Sequence, residues 1–388
     1  MPRSCVVIGA GVLGVCVAAC LAEAGAEVTL LEQAQPGHGA TRWSFAWLNA
    51  NQKTPRAYHD LNYAGMRAWA ELAVGSGDLP GPCPQWYQPV GNLEWADSAA
   101  GHAQLAARVR RLTEWGYPAT LIDAAAAAGL EPSLRLPAAV TGVAWFPAEG
   151  YLRTGPLVAH MTGLAAARGA TVRSGAAGHV VGIDTHGGSV HAVRTAAGQV
   201  IPADTVVCCA GRWAPQVAAL AGTACPVPLV PWSSPGAEAP GLVVRAGPAS
   251  GPVRMVHAPE VYLRPHAGGL VHLEAPDAAV DLHTPDAKLR RWAEELLGRA
   301  RLVVRGLDDA EVAGYRVCVR PMPADGQSIV GWLPGADGVY VAVTHSGVTL
   351  GAHLARLIAA EVTSGAPAAE LAPYRPGRFA PAASRLPG

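Results

Sequence analysis

Residues Cys5 to Ala22 form an uncharged, mostly apolar run broken by glycines at 9, 11 and 14, and no other segment constrains the fold of this chain so strongly. The length of the run raises a membrane span, and Arg3 before it with Ala22-Glu23-Ala24 after it resembles a secretory signal. The glycines argue against both readings. They stand in G-x-G-x-x-G register directly after the β-branched Val6-Val7-Ile8. A helical stretch follows, Gly25 stops it, and a second strand runs from Glu27 to Glu32. Strand, glycine turn, helix, strand and terminal acid together make a dinucleotide-binding βαβ unit. Gly9 permits the tight turn, Gly11 lets the backbone approach a pyrophosphate, and Gly14 allows close helix packing, while the helix N-terminus offers free N–H groups. Glu32 is placed to accept hydrogen bonds from ribose hydroxyls and to repel a 2′-phosphate, which leaves FAD or NAD.

The remaining composition narrows the class. With 29 basic and 29 acidic residues among 388, the chain carries no net charge, which argues against a nucleic-acid partner. Half the residues are hydrophobic and 15% are charged, so the chain can bury a large core, and its length suits two domains or one composite one. Lys53 and Lys288 are the only lysines, which leaves little material for Schiff-base chemistry. The eight cysteines, at 5, 16, 20, 83, 208, 209, 225 and 318, show no metal-site or disulfide spacing and read as buried thiols in a reducing cytoplasm. No metal site is expected.

Beyond Glu32, Pro36 to Ser44 reads as a binding loop and residues 57 to 74 as a helix. Gly75 to Pro84 is a Gly/Pro-rich break taken as a domain crossing. Residues 85 to 96 and 140 to 147 read as strands flanking an Ala-rich helical region from 100 to 130. The pattern then gives a helix from Arg153 to Gly169, short strands to Gly211 ending in the buried run Thr205 to Ala210, and strands Gly241–Arg245, Val261–Arg264 and Gly269–Glu274. A helix at 286–300, a last strand at Gly338–Val343 and a last helix at Gly347–Ser364 complete it, with a surface tail after Ala366. The expected architecture is α/β. A discontinuous Rossmann-type domain (1–80, 146–224 and 313–388) carries an inserted α+β substrate domain (81–145 and 225–312) on a mostly antiparallel sheet.

Several segments converge on one family. Gly9-x-Gly11-x-x-Gly14 with Glu32, Glu149-Gly150-Tyr151, Asp204 to Ala214, Tyr262-Leu263-Arg264-Pro265 and Arg320-Pro321 through Asp325-Gly326 to Gly331 resemble the D-amino acid oxidase superfamily, which includes glycine oxidase, sarcosine oxidase and D-amino acid dehydrogenase. The resemblance implies an extended FAD, with a sheet-floored substrate domain over the flavin. It assigns the cofactor to Gly9, Gly11, Val12, Leu13, Gly14, Glu32, Gln33, Thr41, Arg42, Ser44, Val180, Ala210, Gly211, Trp213, Arg320, Ser346, Gly347, Val348 and Thr349. Residues Ser44 to Asn51 depart from the better-known members, which leaves the substrate open.

Arg320 lies before Pro321 in a low-charge segment, so its guanidinium needs an anion. The resemblance makes that anion the substrate carboxylate; an ion pair with Asp325 or Glu311 is the structural alternative. Tyr262 is the matching phenol for the same carboxylate, or a core aromatic. Gly347 opens the last helix toward the charge that develops on a reduced flavin, with capping by Ser346 or Thr344 as the plainer reading. His345 faces substrate or flavin, or bonds locally. Arg56, Tyr58 and His59 enter the site or cap a helix. Cys318 is covalently linked to flavin in the sarcosine-oxidase manner, or free as in glycine oxidase, which is the expectation here. His272 supplies a positive charge for oxygen reduction, or faces solvent opposite Leu273.

The expected activity is FAD-dependent oxidation of a C–N bond in a small amino acid or secondary amine, by hydride transfer to flavin N5, with oxygen or another electron acceptor and no membrane span. One alternative is a 2-hydroxy acid dehydrogenase using His59 or His345 as base. The other is a non-catalytic flavin-binding subunit.

Overall fold

The computed structural model describes residues 3–75 and 84–380. The opening run splits as its glycines dictate, into strand β1 (Ser4–Ile8), helix α1 (Val12–Glu23) and strand β2 (Glu27–Glu32). β1 is central, paired in parallel with β2 on one side and with Thr205–Cys208 on the other. The full six-stranded sheet runs Ile329–Trp332, Val339–Val343, Thr205–Cys208, β1, β2, Thr171–Ser174, parallel throughout except for its first edge strand.

The apolarity of α1 has a local cause. It is buried on nearly every side, packed against the final helix Gly347–Ser364 and against helix Thr154–Ala167. A helix enclosed this way needs no polar face. Its approach to the final helix is close enough that a Cβ on Gly351 would stand 3.0 Å from both Val12 Cγ1 and Trp69 Cζ2. No helix among the described residues is long and apolar enough to cross a membrane.

The second domain is an eight-stranded sheet ordered Glu311–Val319, Pro240–Gly247, Leu270–Glu274, Tyr262–His266, Met255–His257, Asn92–Glu94, Val143–Phe146, Thr120–Ile122. Only the Met255–His257/Asn92–Glu94 pair is parallel. Helix Asp286–Val303 covers its outer face through Ala293, Leu296, Leu297 and Ala300. A three-stranded sheet joins Trp47–Leu48, Gly150–Leu152 and Tyr87–Gln88, and another joins Val180–His186, Ser189–Thr195 and Val200–Pro202.

Three sequence expectations are corrected here. The boundary at 313 falls inside strand Glu311–Val319, which pairs along Pro240–Gly247 in the eight-stranded sheet. The region 100–130 is two helices, Ala99–Glu114 and Ala124–Leu130, separated by a turn at Gly116 (φ +79°) and strand Thr120–Ile122. The described part of the segment after Ala366, residues 367–380, is packed rather than loose: Leu371 and Tyr374 are buried, and Arg375 forms a bidentate ion pair with the buried Glu361. Most of the Gly75–Pro84 break, with Cys83, lies outside the described residues.

Candidate active site

The glycine turn is built as its three positions require. Gly9 sits at φ +100°, and a Cβ there would lie 2.6 Å from the Cys209 carbonyl oxygen. At Gly14 a Cβ would stand 1.8 Å from the Gly9 carbonyl oxygen, so helix and turn can pack only without it. Gly11 is more open, its nearest neighbour for a Cβ being Thr41 Oγ1 at 3.2 Å. The Thr41 hydroxyl accepts from the Val12 amide at 3.2 Å, which fixes the loop after β2 against the start of α1. Glu32 is held at the tip of β2, its two carboxylate oxygens accepting from the amides of Ala10 (2.9 Å) and Ala34 (3.0 Å). Each oxygen keeps further acceptor capacity.

These parts border a cavity of about 630 Å³. Gly9, Gly11, Val12, Leu13, Glu32, Gln33, Thr41, Ser44, Val180, Ala210, Gly211, Trp213, Arg320, Gly347 and Val348 line it. The remaining expected cofactor residues do not. Gly14 is packed beneath the turn; Arg42 lies outside, its carbonyl accepting from Arg245 Nη2; Ser346 and Thr349 line a second cavity instead. The final helix begins beside this space without a side-chain cap. The Ser346 hydroxyl accepts from Tyr58 OH, and Thr344 Oγ1 accepts from the Ser346 amide. The N-termini of α1 and of the final helix, neither capped by the side chain of its own N-cap residue, therefore open onto one cavity, which suits a ligand negative at two points.

A second cavity of about 830 Å³ adjoins the first, and Ser44, Cys318, Arg320, His345 and Val348 line both. Arg320 is anchored by backbone only, donating from Nε to the Ala239 carbonyl (3.1 Å) and from Nη2 to that of Glu238 (3.2 Å). Asp325, the proposed structural partner, is instead paired with Arg378. Tyr262 lines the second cavity with its ring 4.4 Å from that of His257. His345 lies at the junction, and burial, aided by Lys53 and Arg320, pulls its imidazole down to about 3, so it is neutral near pH 7. Cys318 donates weakly to the Ala40 carbonyl, and burial pushes its thiol up to about 12, far from a nucleophilic thiolate.

Two expected site histidines lie elsewhere. His59 lines neither cavity; it is fully buried against Trp115 and Tyr117 and donates from Nδ1 to the Ala50 carbonyl at 2.8 Å, so it props the loop and is no base for substrate. His272 is 1% exposed, which removes the solvent-facing reading, and it lines neither cavity. Its Nδ1 accepts from Arg264 Nη2 at 2.7 Å, and burial with Arg264 and His266 nearby holds the ring neutral, which removes the positive-charge reading.

The structure gives a place in the site to residues for which sequence reasoning named no site role. Lys53 and Lys288 both line the second cavity, as does Glu274. Lys53 is enclosed, and burial lowers its pKa against the opposing pull of Tyr58 and Glu149. Glu149 is a buried hub that accepts from Trp47 Nε1, Asn51 Nδ2, Asn92 Nδ2 and Tyr117 OH, all between 2.7 and 3.0 Å. It fixes the loop that carries Trp47, Asn49 and Lys53 into the cavity wall. The rarity of lysine, and the place of Glu149 in the segment Glu149-Gly150-Tyr151, were the sequence signals available.

A mostly parallel nucleotide-binding sheet, a mostly antiparallel second sheet and adjoining cavities lined by both are the build of a dinucleotide-dependent oxidoreductase. Residues 4–361 match the DAO family of FAD dependent oxidoreductases, and the chain belongs to that family. It is an FAD-dependent enzyme. Among similar proteins, the uncharacterized oxidoreductase YurR of Bacillus subtilis (strain 168) is 27% identical over 96% of this chain and 98% of its own length. The glycine oxidase of Geobacillus kaustophilus (strain HTA426) is 24% identical over 95% of each. The solved structure of L-proline dehydrogenase from P. horikoshii superimposes with a TM-score of 0.82 at 20% identity, covering 98% of both chains.

Proposed function

We propose that this enzyme oxidises the C–N bond of a small amino acid or secondary amine whose carboxylate docks on Arg320. The observation that carries the reading is the guanidinium itself: it borders both cavities, is oriented by two backbone carbonyls, and has no carboxylate within salt-bridge distance among the described residues. A fork held this way can take a carboxylate in bidentate fashion at the point where the two cavities meet. Tyr262 is a further donor in the same wall.

The residues of the nucleotide domain fit FAD. Glu32 would hold the ribose hydroxyls, the start of α1 the pyrophosphate, and the start of the final helix the ring edge that becomes negative on reduction. When bound, FAD supplies a two-electron acceptor for the hydrogen on the carbon beside nitrogen. The protein fixes the substrate carbon, excludes bulk water with the Glu149-anchored loop, and presents neutral His345 beside the reacting centre. The amine lone pair forms the C=N bond as the hydride leaves, and water then converts the imine to a carbonyl compound and an amine or ammonia. No strong base has to remove a carbon-bound proton. Seven described cysteines are free thiols, in keeping with a cytoplasmic setting. Oxygen or another acceptor would take the electrons onward.

The test is anaerobic mixing with a panel of glycine, sarcosine, D- and L-proline, D- and L-alanine and the matching 2-hydroxy acids, followed at the flavin absorbance. Bleaching by an amine supports the proposal. Bleaching by hydroxy acids alone overturns it.

A further inference from the structure

The floor of the second cavity carries an acid beside the proposed carboxylate clamp. Glu274 lies opposite Val243 on one neighbouring strand and opposite Tyr262 on the other, and all three line the cavity. On the Val243 strand, two residues away, Gly241 leaves bare backbone over which Arg320 lies: a Cβ there would meet the guanidinium carbon at 3.8 Å. The positive fork and the carboxylate thus share one face of the sheet without forming a salt bridge. The Glu274 carboxylate makes no hydrogen bond or ion pair with any described residue, although the side chain is partly buried. An enclosed carboxylate left so is costly unless a ligand completes it. The groups facing it are Arg320 and Arg264, which are cationic, and Tyr262 and Cys318, whose own pKa values it helps to raise.

We propose that Glu274 receives the ammonium group of the substrate while Arg320 holds its carboxylate, and that the Glu274 carboxylate takes one ammonium proton to leave the neutral amine. One N–H bond breaks and one O–H bond forms. The freed lone pair stays on nitrogen, available to form the C=N bond, and the proton later leaves by the open cavity. A zwitterion would so be matched by a pair of opposite charges, whereas a simple carboxylate would meet repulsion from Glu274. Burial raises the carboxyl pKa, which brings it nearer to that of an amine and eases the transfer. The inference rests on the amine-oxidation reading above.

The experiment compares wild type and Glu274→Gln holoenzymes, matched for FAD content, in two titrations at pH 8. One follows flavin reduction by the amine that the panel identifies; the other follows the flavin spectrum as acetate or benzoate binds without reaction. The expected result is amine affinity weakened by about tenfold or more and benzoate affinity strengthened in the same variant. A merely structural role would weaken both, and that outcome, or no change in either, overturns the proposal. The wild type offers a second reading should the variant fail to retain FAD: benzoate should bind more tightly as pH falls and Glu274 gains its proton, while the amine binds less tightly. A benzoate affinity independent of pH between 5 and 9 counts against Glu274. Reduction by hydroxy acids and by no amine would instead remove the underlying reading, and this one with it.

Discussion

Arg264 Nη2 donates to His272 Nδ1 across the central strands of the eight-stranded sheet, 2.7 Å apart and both nearly inaccessible to solvent. The same guanidinium donates to the carbonyls of Phe45 and Pro265 and lies 4.4 Å from the centre of the Tyr151 ring. It has no carboxylate partner in salt-bridge contact among the described residues, and burial pulls its pKa down to about 9. The pair is structural. His272→Ala should lower stability by about 2–4 kcal/mol, from a lost acceptor for a buried cation and an unfilled volume, and leave flavin reoxidation by oxygen unchanged. Slowed reoxidation with unaltered melting would restore His272 as a group acting on oxygen. Lys53→Met, by contrast, removes a cation from the cavity wall and should slow reoxidation without affecting anaerobic reduction.

Arg320→Ala should raise KM for the amino-acid substrate by about 100-fold, the loss of a charge-assisted bidentate contact worth about 3 kcal/mol. Arg320→Lys should fall between this variant and wild type, since it keeps charge and loses the fork. Steady-state kinetics decide the order, and equal KM values for wild type and Ala would remove Arg320 from the site.

The glycines should separate in their effects. Gly14→Ala forces a Cβ to within 1.8 Å of the Gly9 carbonyl and should yield little folded protein. Gly11→Val meets only a hydroxyl at 3.2 Å, so its chain should fold and lose FAD. Circular dichroism with the ratio of flavin to protein absorbance distinguishes the two. Full FAD occupancy in Gly11→Val would misplace the pyrophosphate.

Acid precipitation should release FAD into the supernatant. Cys318 borders both cavities, but its thiol is pushed up to about 12 and is held toward the Ala40 carbonyl. Colour retained in the pellet, and lost in Cys318→Ser, would establish a covalent link.

Acid should destabilise the fold through its buried imidazoles. Burial pulls His257 and His345 down to about 3 and His266 to about 4. A depressed folded-state pKa means that the unfolded chain binds the proton first, so the associated stability is complete above about pH 6.5 and is lost as pH falls toward 3. Each such group contributes a slope of up to ~1.4 kcal/mol per pH unit. Denaturant titrations between pH 4 and 7 measure it, and His345→Gln should flatten the slope. An unchanged slope would mean that His345 is charged in the folded enzyme.

What could be read from the sequence follows from how far each constraint reaches along the chain. Gly9, Gly14 and Glu32 were legible because a turn, a close contact and a strand end are set within 25 residues. The final helix at Gly347 was legible for the same reason. Glu274 and Lys53 were not, since which strand face meets the cavity depends on pairing with Val243 and Tyr262 and on the loop that Glu149 anchors. The alternation of His272 and Leu273 was correct, but both faces of that strand are covered: Val271, His272 and Leu273 are each at most 1% exposed. The rule of one wet face therefore fails. The tail erred likewise, because the burial of Leu371 and Tyr374 comes from distant elements.

The pairing of Ser4–Ile8 with Thr205–Cys208, and of the latter with Val339–Val343, has a kinetic consequence. Strand β1 gains β2 at once but acquires its second neighbour only after some 200 residues have been synthesised, and the strand beyond that arrives after well over 100 more. Loop closure on that scale delays assembly of the sheet. An N-terminal fragment would leave both edges of β1–β2 unpaired and its apolar helix uncovered, so a chain truncated before the final helix should aggregate where the full chain stays in solution.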